Sequence, residues 1–264
     1  MRGVPVLLSP RGTIGRYTFN NRNISAKWLI HHLLGRRLLR KVQFHVTSKK
    51  ERDSITEIVK PKSITEIPNF VAIPGDLSIK PTRVKDVFRL VFLSRIEEKK
   101  GLDLLIKALP LLQIPYSLTI AGDGEPSYIE QLKQLAKSGG IDQNIKWIGF
   151  QGENKFDLLA GHDLMILPSH DENFGNVVIE SLSVGTAVLV SKFVGLADFV
   201  SENELGWVCD PDEKSIADKV NWIYNNREQL NTVRNKAPEF IRSVFNEQRL
   251  IEQYIEMYQS IITN

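Results

Sequence analysis

The chain has 264 residues, of which 42% are apolar and 25% are charged, and this composition is typical of a soluble globular protein with one large domain or two small ones. A single cysteine, Cys209, excludes an internal disulfide framework and predicts a reducing compartment. No apolar run approaches the roughly 18 residues of a membrane-spanning helix, and the early run 4–8 is too short for a secretory signal. We therefore predict a cytoplasmic protein.

Positive charge is concentrated in the first 60 residues. They contain thirteen Lys and Arg against three Asp and Glu, a balance of 13 − 3 = +10, and the remainder contains 21 against 28, a balance of −7. Such a basic segment favours peripheral contact with an anionic membrane, an anionic acceptor or a nucleic acid. The simpler interpretation is a solvated helix without a partner. Nucleic acid is disfavoured because neither interleaved aromatic residues nor a recognition motif accompanies the charge.

The first 68 residues predict a partial α/β domain. Residues 4–9 predict a buried strand that ends at Pro10, Arg11 and Gly12. Prolines and a glycine among mixed charges in residues 69–88 predict an interdomain linker. The other predicted elements of this part are a helix at 25–41, a strand at 42–48, a short helix ending near Val59 and a strand at 64–67.

From residue 89 to residue 240 strands and helices alternate, which predicts a parallel sheet covered by helices on both faces. Residues 241–264 predict a C-terminal helix that packs back toward the first part. The predicted strands are 89–94, 116–121, 145–149, 164–167, 187–191 and 206–209. The predicted helices are 102–112, 127–137, 154–160, 176–184, 213–225, 227–244 and 247–263.

The segment 163–190 has the strongest functional pattern. A buried strand ends at Pro168, a polar loop contains Glu172, and a short helix closes at Gly185. Ligands of parallel sheets bind beyond the carboxyl ends of the strands. Glu180 lies among apolar residues of the helix, where a carboxylate needs hydrogen-bond donors. It is either an exposed or capping side chain, or it accepts hydrogen bonds from the hydroxyls of a bound sugar or ribose.

The chain resembles the retaining glycosyltransferases of family 4, which have the GT-B fold. ENFGNVVIE, in which seven residues separate two glutamates, is similar to the signature of that family. Three further motifs follow the family's order and spacing, namely LVFLSRIEEKKGLDLLIKAL at 90–109, LTIAGDGE at 118–125 and IKWIGF at 145–150. The resemblance implies a GT-B-like α/β architecture, with a complete C-terminal Rossmann-like domain that binds the donor at 89–240 and a partial N-terminal Rossmann-like domain.

The resemblance also implies a reaction, in which a UDP-, GDP- or ADP-sugar donates its sugar to a sugar or lipid-linked acceptor in surface polysaccharide or glycoconjugate biosynthesis. Neither a metal, a further cofactor nor a protein nucleophile is implied. The implied catalytic residues are Arg95 and Lys100, which bind the donor diphosphate, and Glu172, which contacts the transferred sugar. Fixed cations suit this role, because negative charge develops on the leaving phosphate. The implied donor-binding residues are Gly122, Gly124, Phe150, Asn173, Phe174, Gly175, Asn176 and Glu180.

Several of these residues also have simpler interpretations. Arg95 and Lys100 could be solvated side chains, Gly122 and Gly124 could form a tight turn, and Phe150 could be a core residue.

On the acceptor side, many family members have a functional histidine after the strand that residues 4–9 resemble. This chain has Ser9-Pro10-Arg11-Gly12 there. We assign Arg11 and Gly12 to the acceptor side, with Arg11 either an anion contact or a solvated side chain.

The opening part of the family's first domain has no counterpart in this chain. The alternative hypothesis is therefore a catalytically incomplete nucleotide-sugar-binding fragment, or half of a split glycosyltransferase. ENFGNVVIE argues against an epimerase or a phosphorylase on the same fold. A nicotinamide-binding protein is disfavoured as well, because no G-x-G-x-x-G follows the first strand of either part.

Overall fold

The computed structural model describes residues 4–14, 36–75 and 87–263. The chain divides into two compact units. The smaller unit comprises residues 1–70 and 245–264, and the larger unit comprises residues 71–244. Most of the predicted helix 25–41 and the central part of the predicted linker 69–88 lie outside the described residues.

We number the strands and α-helices of the described part in chain order. The strands are β1 (Leu7–Leu8), β2 (Gln43–Val46), β3 (Ser63–Glu66), β4 (Phe88–Leu93), β5 (Tyr116–Ala121), β6 (Ile145–Trp147), β7 (Leu164–Leu167), β8 (Ala187–Ser191) and β9 (Gly206–Cys209). The helices are α1 (Arg36–Leu39), α2 (Lys49–Ile58), α3 (Leu102–Ala108), α4 (Pro126–Ser138), α5 (Lys155–Ala160), α6 (Asn176–Ser183), α7 (Ala197–Glu202), α8 (Glu213–Asn225), α9 (Arg227–Val244) and α10 (Glu247–Thr263).

The smaller unit is built on a three-stranded parallel sheet in the order β1-β2-β3. Phe44 and Val46 of the central strand pack against Ile55 of α2 in one cluster. A second cluster joins Ile67, which follows β3, to apolar side chains of α10, including Leu250. The core of this unit therefore depends on the C-terminal helix as well as on the first 70 residues.

The prediction of a buried strand at residues 4–9 is wrong in length and in burial. β1 contains only Leu7 and Leu8, and Val4 and Val6 before it are 78% and 51% exposed. The reason is the position of β1 at the edge of the three-stranded sheet, where it pairs with β2 along one side. A run of apolar residues indicated a strand, but it could not indicate which place in the sheet that strand takes.

The larger unit contains a six-stranded parallel sheet in the order β6-β5-β4-β7-β8-β9. Every residue of β7 and β8 is buried, and all of them except Ser191 are apolar, as in parallel sheets covered on both faces. β4 lies between β5 and β7. The order of the strands reverses there, and such a switch point is where open α/β sheets bind ligands.

The predicted α/β class is confirmed, since parallel strands alternate with helices along the larger unit. Most predicted elements agree with the structure to within two residues, and α8, α9 and α10 have the predicted bounds. Helix α3 is shorter than predicted because a 3-10 turn, Leu109–Leu111, replaces its last turn around Pro110. Helix α7, which has six residues, was not predicted.

A buried ion cluster fixes the amino end of the central strands. Asp163, just before β7, accepts hydrogen bonds from the backbone N–H of Arg89 (2.9 Å) and from its guanidinium. Arg234 of α9 donates to the other carboxylate oxygen at 2.8 Å. Burial alone would raise the pKa of Asp163, but the hydrogen bonds from Arg89 and the charge of Arg234 lower it. The cluster thus joins β4, β7 and α9 at the edge opposite the predicted site.

Candidate active site at the carboxyl edge of the larger sheet

The residues predicted to bind the donor all belong to loops that leave the carboxyl edge of the six-stranded sheet, or to the helix that starts there. This follows from the topology, because the carboxyl ends of parallel strands meet at one edge. Arg95 and Lys100 follow β4, Gly122 and Gly124 follow β5, Phe150 follows β6, and Glu172, Asn173, Phe174 and Gly175 follow β7, with Asn176 and Glu180 in α6.

Lys100 and Glu172 form an ion pair across the switch point. Their side chains are only 8% and 18% exposed, so the pair is shielded from the solvent screening that weakens surface pairs. Lys100 ends a 3-10 turn, Glu98–Lys100. The structure therefore brings together two predicted catalytic residues that are 72 positions apart in the chain.

Close backbone contacts hold these two loops against each other. Gly101 has a φ of 69°, and a Cβ at this position would lie 2.2 Å from the carbonyl oxygen of Pro168, so only glycine fits. The backbone N–H of His170 donates to the carbonyl oxygen of Lys99 at 2.8 Å. The geometry of the Lys100–Glu172 pair is thus set by the main chain on both sides.

The loop after β8 supports Glu172 from the other side. The N–H of Glu172 donates to the carbonyl of Phe193 at 3.1 Å, and its own carbonyl accepts from the N–H of Gly195 at 2.8 Å. A Cβ on Gly195 would lie 1.9 Å from the carbonyl oxygen of Asn173. Glu172 is therefore fixed by a short parallel bridge to the neighbouring loop.

Helix α6 starts directly after this loop. Gly175 precedes it with a φ of 95°, and Phe174 is buried while Asn176 is exposed. The buried phenyl ring anchors the loop, and the amino end of the helix has the partial positive charge of the helix dipole. This end faces the same carboxyl edge as the Lys100–Glu172 pair, because α6 follows β7 through that loop.

Glu180 pairs with Lys155 of α5, with Nζ and Oε1 separated by 2.7 Å. The carboxylate is 14% exposed and the lysine 29%, so the alternative of an exposed side chain is wrong for Glu180, and the carboxylate has a cationic partner. Lys155 was not predicted, because a contact between residues 25 positions apart on two helices has no local sequence pattern. Each glutamate of the ENFGNVVIE motif is thus paired with a lysine.

The other predicted donor residues follow β4, β5 and β6 at the same edge of the sheet. Arg95 is 70% exposed and makes an ion pair with Glu97 at 2.7 Å. Phe150 is 73% exposed, so the alternative of a core residue is wrong. Gly122 and Gly124 form more than a tight turn, since a Cβ on either would lie within about 2 Å of a carbonyl oxygen of the β4 loop, Ser94 or Ile96.

Two general features concern cofactors and membranes. Among the described residues, no group of three or more His, Cys, Asp or Glu side chains is arranged as a metal site. That the reaction needs no metal stays a prediction. No helix in the described ranges is both long enough and apolar enough to cross a bilayer.

Arg11 and Gly12 lie in the smaller unit, in the turn after β1. Arg11 is exposed, and its guanidinium donates to Oδ1 of Asn69 at 3.2 Å. The backbone N–H of Gly12 donates to Glu51 at 2.8 Å. Both residues therefore lie at the carboxyl edge of the smaller sheet.

Comparison with known proteins shows what this arrangement is similar to. The family model described as glycosyl transferases group 1 matches residues 76–240, more than half of the chain. N-acetyl-alpha-D-glucosaminyl L-malate synthase of Bacillus anthracis is 25% identical over 217 residues, covering 78% of this chain and 56% of that protein. D-inositol 3-phosphate glycosyltransferase of Corynebacterium urealyticum is 25% identical over 182 residues, covering 65% of this chain and 43% of that protein. The chain spans about half the length of these curated relatives.

Among solved structures, the Anabaena HepE protein in complex with UDP and glucose superposes with a TM-score of 0.80 at 18% identity. The match covers 97% of this chain and 72% of the HepE chain. This likeness confirms the predicted GT-B-like fold class.

Proposed function

Because the chain belongs to the glycosyl transferases group 1 family, we propose that it transfers a sugar from a nucleotide-diphosphate sugar to a hydroxyl group of an acceptor, with retention of the anomeric configuration. The observation that supports this most directly is the shielded Lys100–Glu172 pair at the switch point of the larger sheet. A cation and a carboxylate held side by side there suit a ligand with a charged diphosphate and a neutral, hydroxyl-rich sugar.

In the proposed reaction, Lys100 and Arg95 bind the donor diphosphate. The bond between the anomeric carbon and the β-phosphate oxygen breaks, and the charge that develops on that oxygen is stabilised by the two cations and the amino end of α6. Glu172 accepts hydrogen bonds from the transferred sugar. The acceptor oxygen attacks from the face that the phosphate leaves, and its proton passes to the departing phosphate. Because the proposed reaction uses no protein nucleophile, the paired-carboxylate mechanism of glycoside hydrolysis does not apply to the two glutamates.

The nucleotide is proposed to lie along the neighbouring loops. Glu180, held by Lys155, accepts hydrogen bonds from the ribose hydroxyls through the carboxylate oxygen that the lysine does not use. We propose that the main chain at Gly122 and Gly124 approaches the nucleotide closely and that the base stacks on the ring of Phe150, which is exposed. HepE was crystallised with UDP and glucose, so UDP-glucose is the first donor to test, before GDP- and ADP-sugars.

The acceptor is proposed to be a glycan or a lipid-linked sugar in surface polysaccharide or glycoconjugate biosynthesis, approached at the cytoplasmic face of a membrane. The excess of +10 in the first 60 residues supports an anionic surface or an anionic acceptor there. D-inositol 3-phosphate glycosyltransferase is named for a phosphorylated polyol, so phosphorylated acceptors belong in the assay.

A second candidate function is donor binding without transfer. It is favoured by the position of the predicted donor-binding residues, all of which belong to the larger unit. In that case the chain would be a nucleotide-sugar-binding fragment or half of a split glycosyltransferase, and the residues of the larger unit would keep their donor contacts.

The test is calorimetric titration with UDP-, GDP- and ADP-sugars, followed by an assay of donor hydrolysis and transfer. Lys100→Ala should lower turnover by about 100- to 1,000-fold, the cost of removing one group that stabilises developing oxyanion charge. Lys107→Ala is the matched control, because Lys107 pairs with Asp103 on the exposed face of α3. Binding without turnover supports the second candidate. Absence of binding by every donor, or equal turnover of Lys100→Ala and the wild type, contradicts the transferase proposal.

A further inference from the structure

The turn that follows β1 has a strained backbone. Arg11 has a φ of 49° and Gly12 a φ of 82°, and the left-handed region costs free energy at a residue with a side chain. Thr13 closes the turn by donating both its N–H and its hydroxyl to the carbonyl of Pro10, at 3.1 and 2.7 Å. Glycine would adopt this conformation at position 11 without that cost, so the arginine side chain is retained against a backbone penalty.

A buried carboxylate fixes the turn in place. Glu51, in the first turn of α2, is 2% exposed. It accepts hydrogen bonds from the N–H of Gly12 at 2.8 Å, and from the N–H and the hydroxyl of Thr47 at 2.9 and 3.0 Å. A buried charge of this kind is tolerated only with such donors. Glu51 thereby links the loops after β1 and β2, and the position of Arg11 follows from rigid elements.

What the turn presents is an exposed guanidinium with unused donors. In the described part of the chain, the side chain of Arg11 bonds only to Oδ1 of Asn69, and no described carboxylate forms an ion pair with it. A guanidinium has five N–H donors in a planar fork. Asn69 follows β3 and Arg11 follows β1, so both lie at the carboxyl edge of the parallel sheet, where ligands bind.

His45 lies within the electrostatic reach of Arg11 and is neutral. His45 is buried, and its Nε2 lies 3.0 Å from the carbonyl of Ile67, which fixes the proton on that nitrogen because a carbonyl only accepts. Its Nδ1 therefore accepts from the hydroxyl of Ser9 at 3.0 Å. Burial, reinforced by the charge of Arg11, lowers the pKa of His45. The imidazole of His45 thus adds no positive charge that would compete for an anion, and the carboxylate of Glu51 bonds to Gly12 and Thr47.

We propose that Arg11 binds an oxyanion on the acceptor, a phosphate or a carboxylate, with the guanidinium bidentate and Asn69 fixing its orientation. That the bound molecule is an acceptor rests on the proposed transferase function, whereas the anion site itself does not depend on it. The planar guanidinium of arginine bonds a carboxylate or a phosphate through two N–H groups at once, whereas the ammonium group of lysine acts as a point charge. The acceptor substrates would thus be phosphorylated or carboxylated alcohols, or sugars linked to a lipid through phosphate.

The experiment is an equilibrium titration of the full chain. Binding is measured by calorimetry and by the NMR signal of the Arg11 Nε–H group. The probes are glycerol 3-phosphate, L-malate and, as the neutral probe, glycerol. The variants are Arg11→Gly, which removes the guanidinium and the backbone strain together, and Arg11→Lys, which keeps the charge. Arg52→Gln is the control, because Arg52 is a half-buried arginine of the same unit that pairs with Glu66.

We expect one or both anions to shift the Arg11 signal saturably, and glycerol to leave it unchanged. If only glycerol 3-phosphate or only L-malate binds, the result identifies phosphate or carboxylate as the group that Arg11 recognises. Arg11→Gly should bind the anion about 10- to 100-fold more weakly, the loss of a charged hydrogen bond, while its urea midpoint rises because the strain is gone. Arg11→Lys should lose part of the affinity, and Arg52→Gln none.

Equal anion affinity in Arg11→Gly and the wild type, or equal binding of glycerol and glycerol 3-phosphate, would overturn the proposal. A urea midpoint of Arg11→Gly at or below that of the wild type would refute the strain argument on which it depends. The donor titration is a separate measurement on the larger unit. A chain that binds the anion through Arg11 but no nucleotide sugar therefore retains this site and loses the transferase function.

Discussion

The ion cluster at Asp163 gives the sharpest prediction about stability. In Asp163→Asn the carboxylate that faces two guanidiniums becomes a neutral amide. The side chains of Arg89, Asp163 and Arg234 are 16%, 12% and 7% exposed, so solvent screens the lost interaction little. Removing one partner of a buried pair costs about 3–5 kcal/mol, because an uncompensated charge stays buried. The stability of a whole domain is about 5–15 kcal/mol, and we therefore expect a large loss.

The assay is urea unfolding followed by tryptophan fluorescence, which reports mainly on the larger unit since Trp147, Trp207 and Trp222 all belong to it. The variant Arg234→Met completes a double-mutant cycle with Asp163→Asn. The double variant Asp163→Asn with Arg234→Met should be less destabilised than the sum of the single variants, by at least about 1 kcal/mol. The fold itself should survive in the double variant, as an apolar side chain replaces an unpaired cation.

The pH dependence supplies a second test of the same cluster. The pKa of Asp163 is lowered in the folded state, so its contribution to stability is complete above the ordinary value near 3.8 and is lost as the pH falls through the folded value. Asp163→Asn should flatten this part of the acid-unfolding curve. A loss below about 1 kcal/mol in Asp163→Asn, or an unchanged acid profile, would refute the reasoning.

Three other substitutions and one labelling experiment test the site and its frame. Glu180→Gln should weaken donor binding about tenfold in calorimetry, by the loss of one charge-assisted hydrogen bond to the ribose. Gly122→Ala should lower the urea midpoint strongly, since its Cβ would lie 1.8 Å from a carbonyl oxygen, whereas Gly75→Ala, with open space around it, should not. Burial lowers the pKa of His162, so stability should fall as the pH drops below about 6.5, and His162→Gln should reduce this fall. Burial raises the pKa of Cys209 to about 12, and mass spectrometry should therefore detect alkylation by iodoacetamide only in urea.

The larger unit was predictable because its sequence repeats one local pattern. Runs such as Leu164–Leu167 and 187–190 are apolar throughout, and each is followed by a polar loop and an amphipathic or apolar helix. In a parallel sheet this pattern alone places all the loops at one edge. The proximity of Lys100 and Glu172 was therefore implied by topology, although their direct contact was not.

The pairing of Glu180 with Lys155 and the edge position of β1 were not predictable in the same way. Lys155 opens a helix of six residues and looks like any exposed lysine, and only packing of α5 beside α6 brings it to Glu180. The apolar run at residues 4–9 resembles a central strand, yet the number of strands beside it decides its burial. Sequence periodicity indicates the secondary structure that a segment favours. The burial of β1 and the partner of Glu180 depend instead on which other elements pack beside them.

The contact of Gly101 with the carbonyl of Pro168 has a consequence for engineering. Since no side chain fits between them and the N–H of His170 bonds to Lys99, the loops after β4 and β7 behave as one piece. Lengthening or exchanging either loop alone would displace the other. A change of donor preference by loop grafting therefore requires both loops from the same source protein, transferred together with the glycine that joins them.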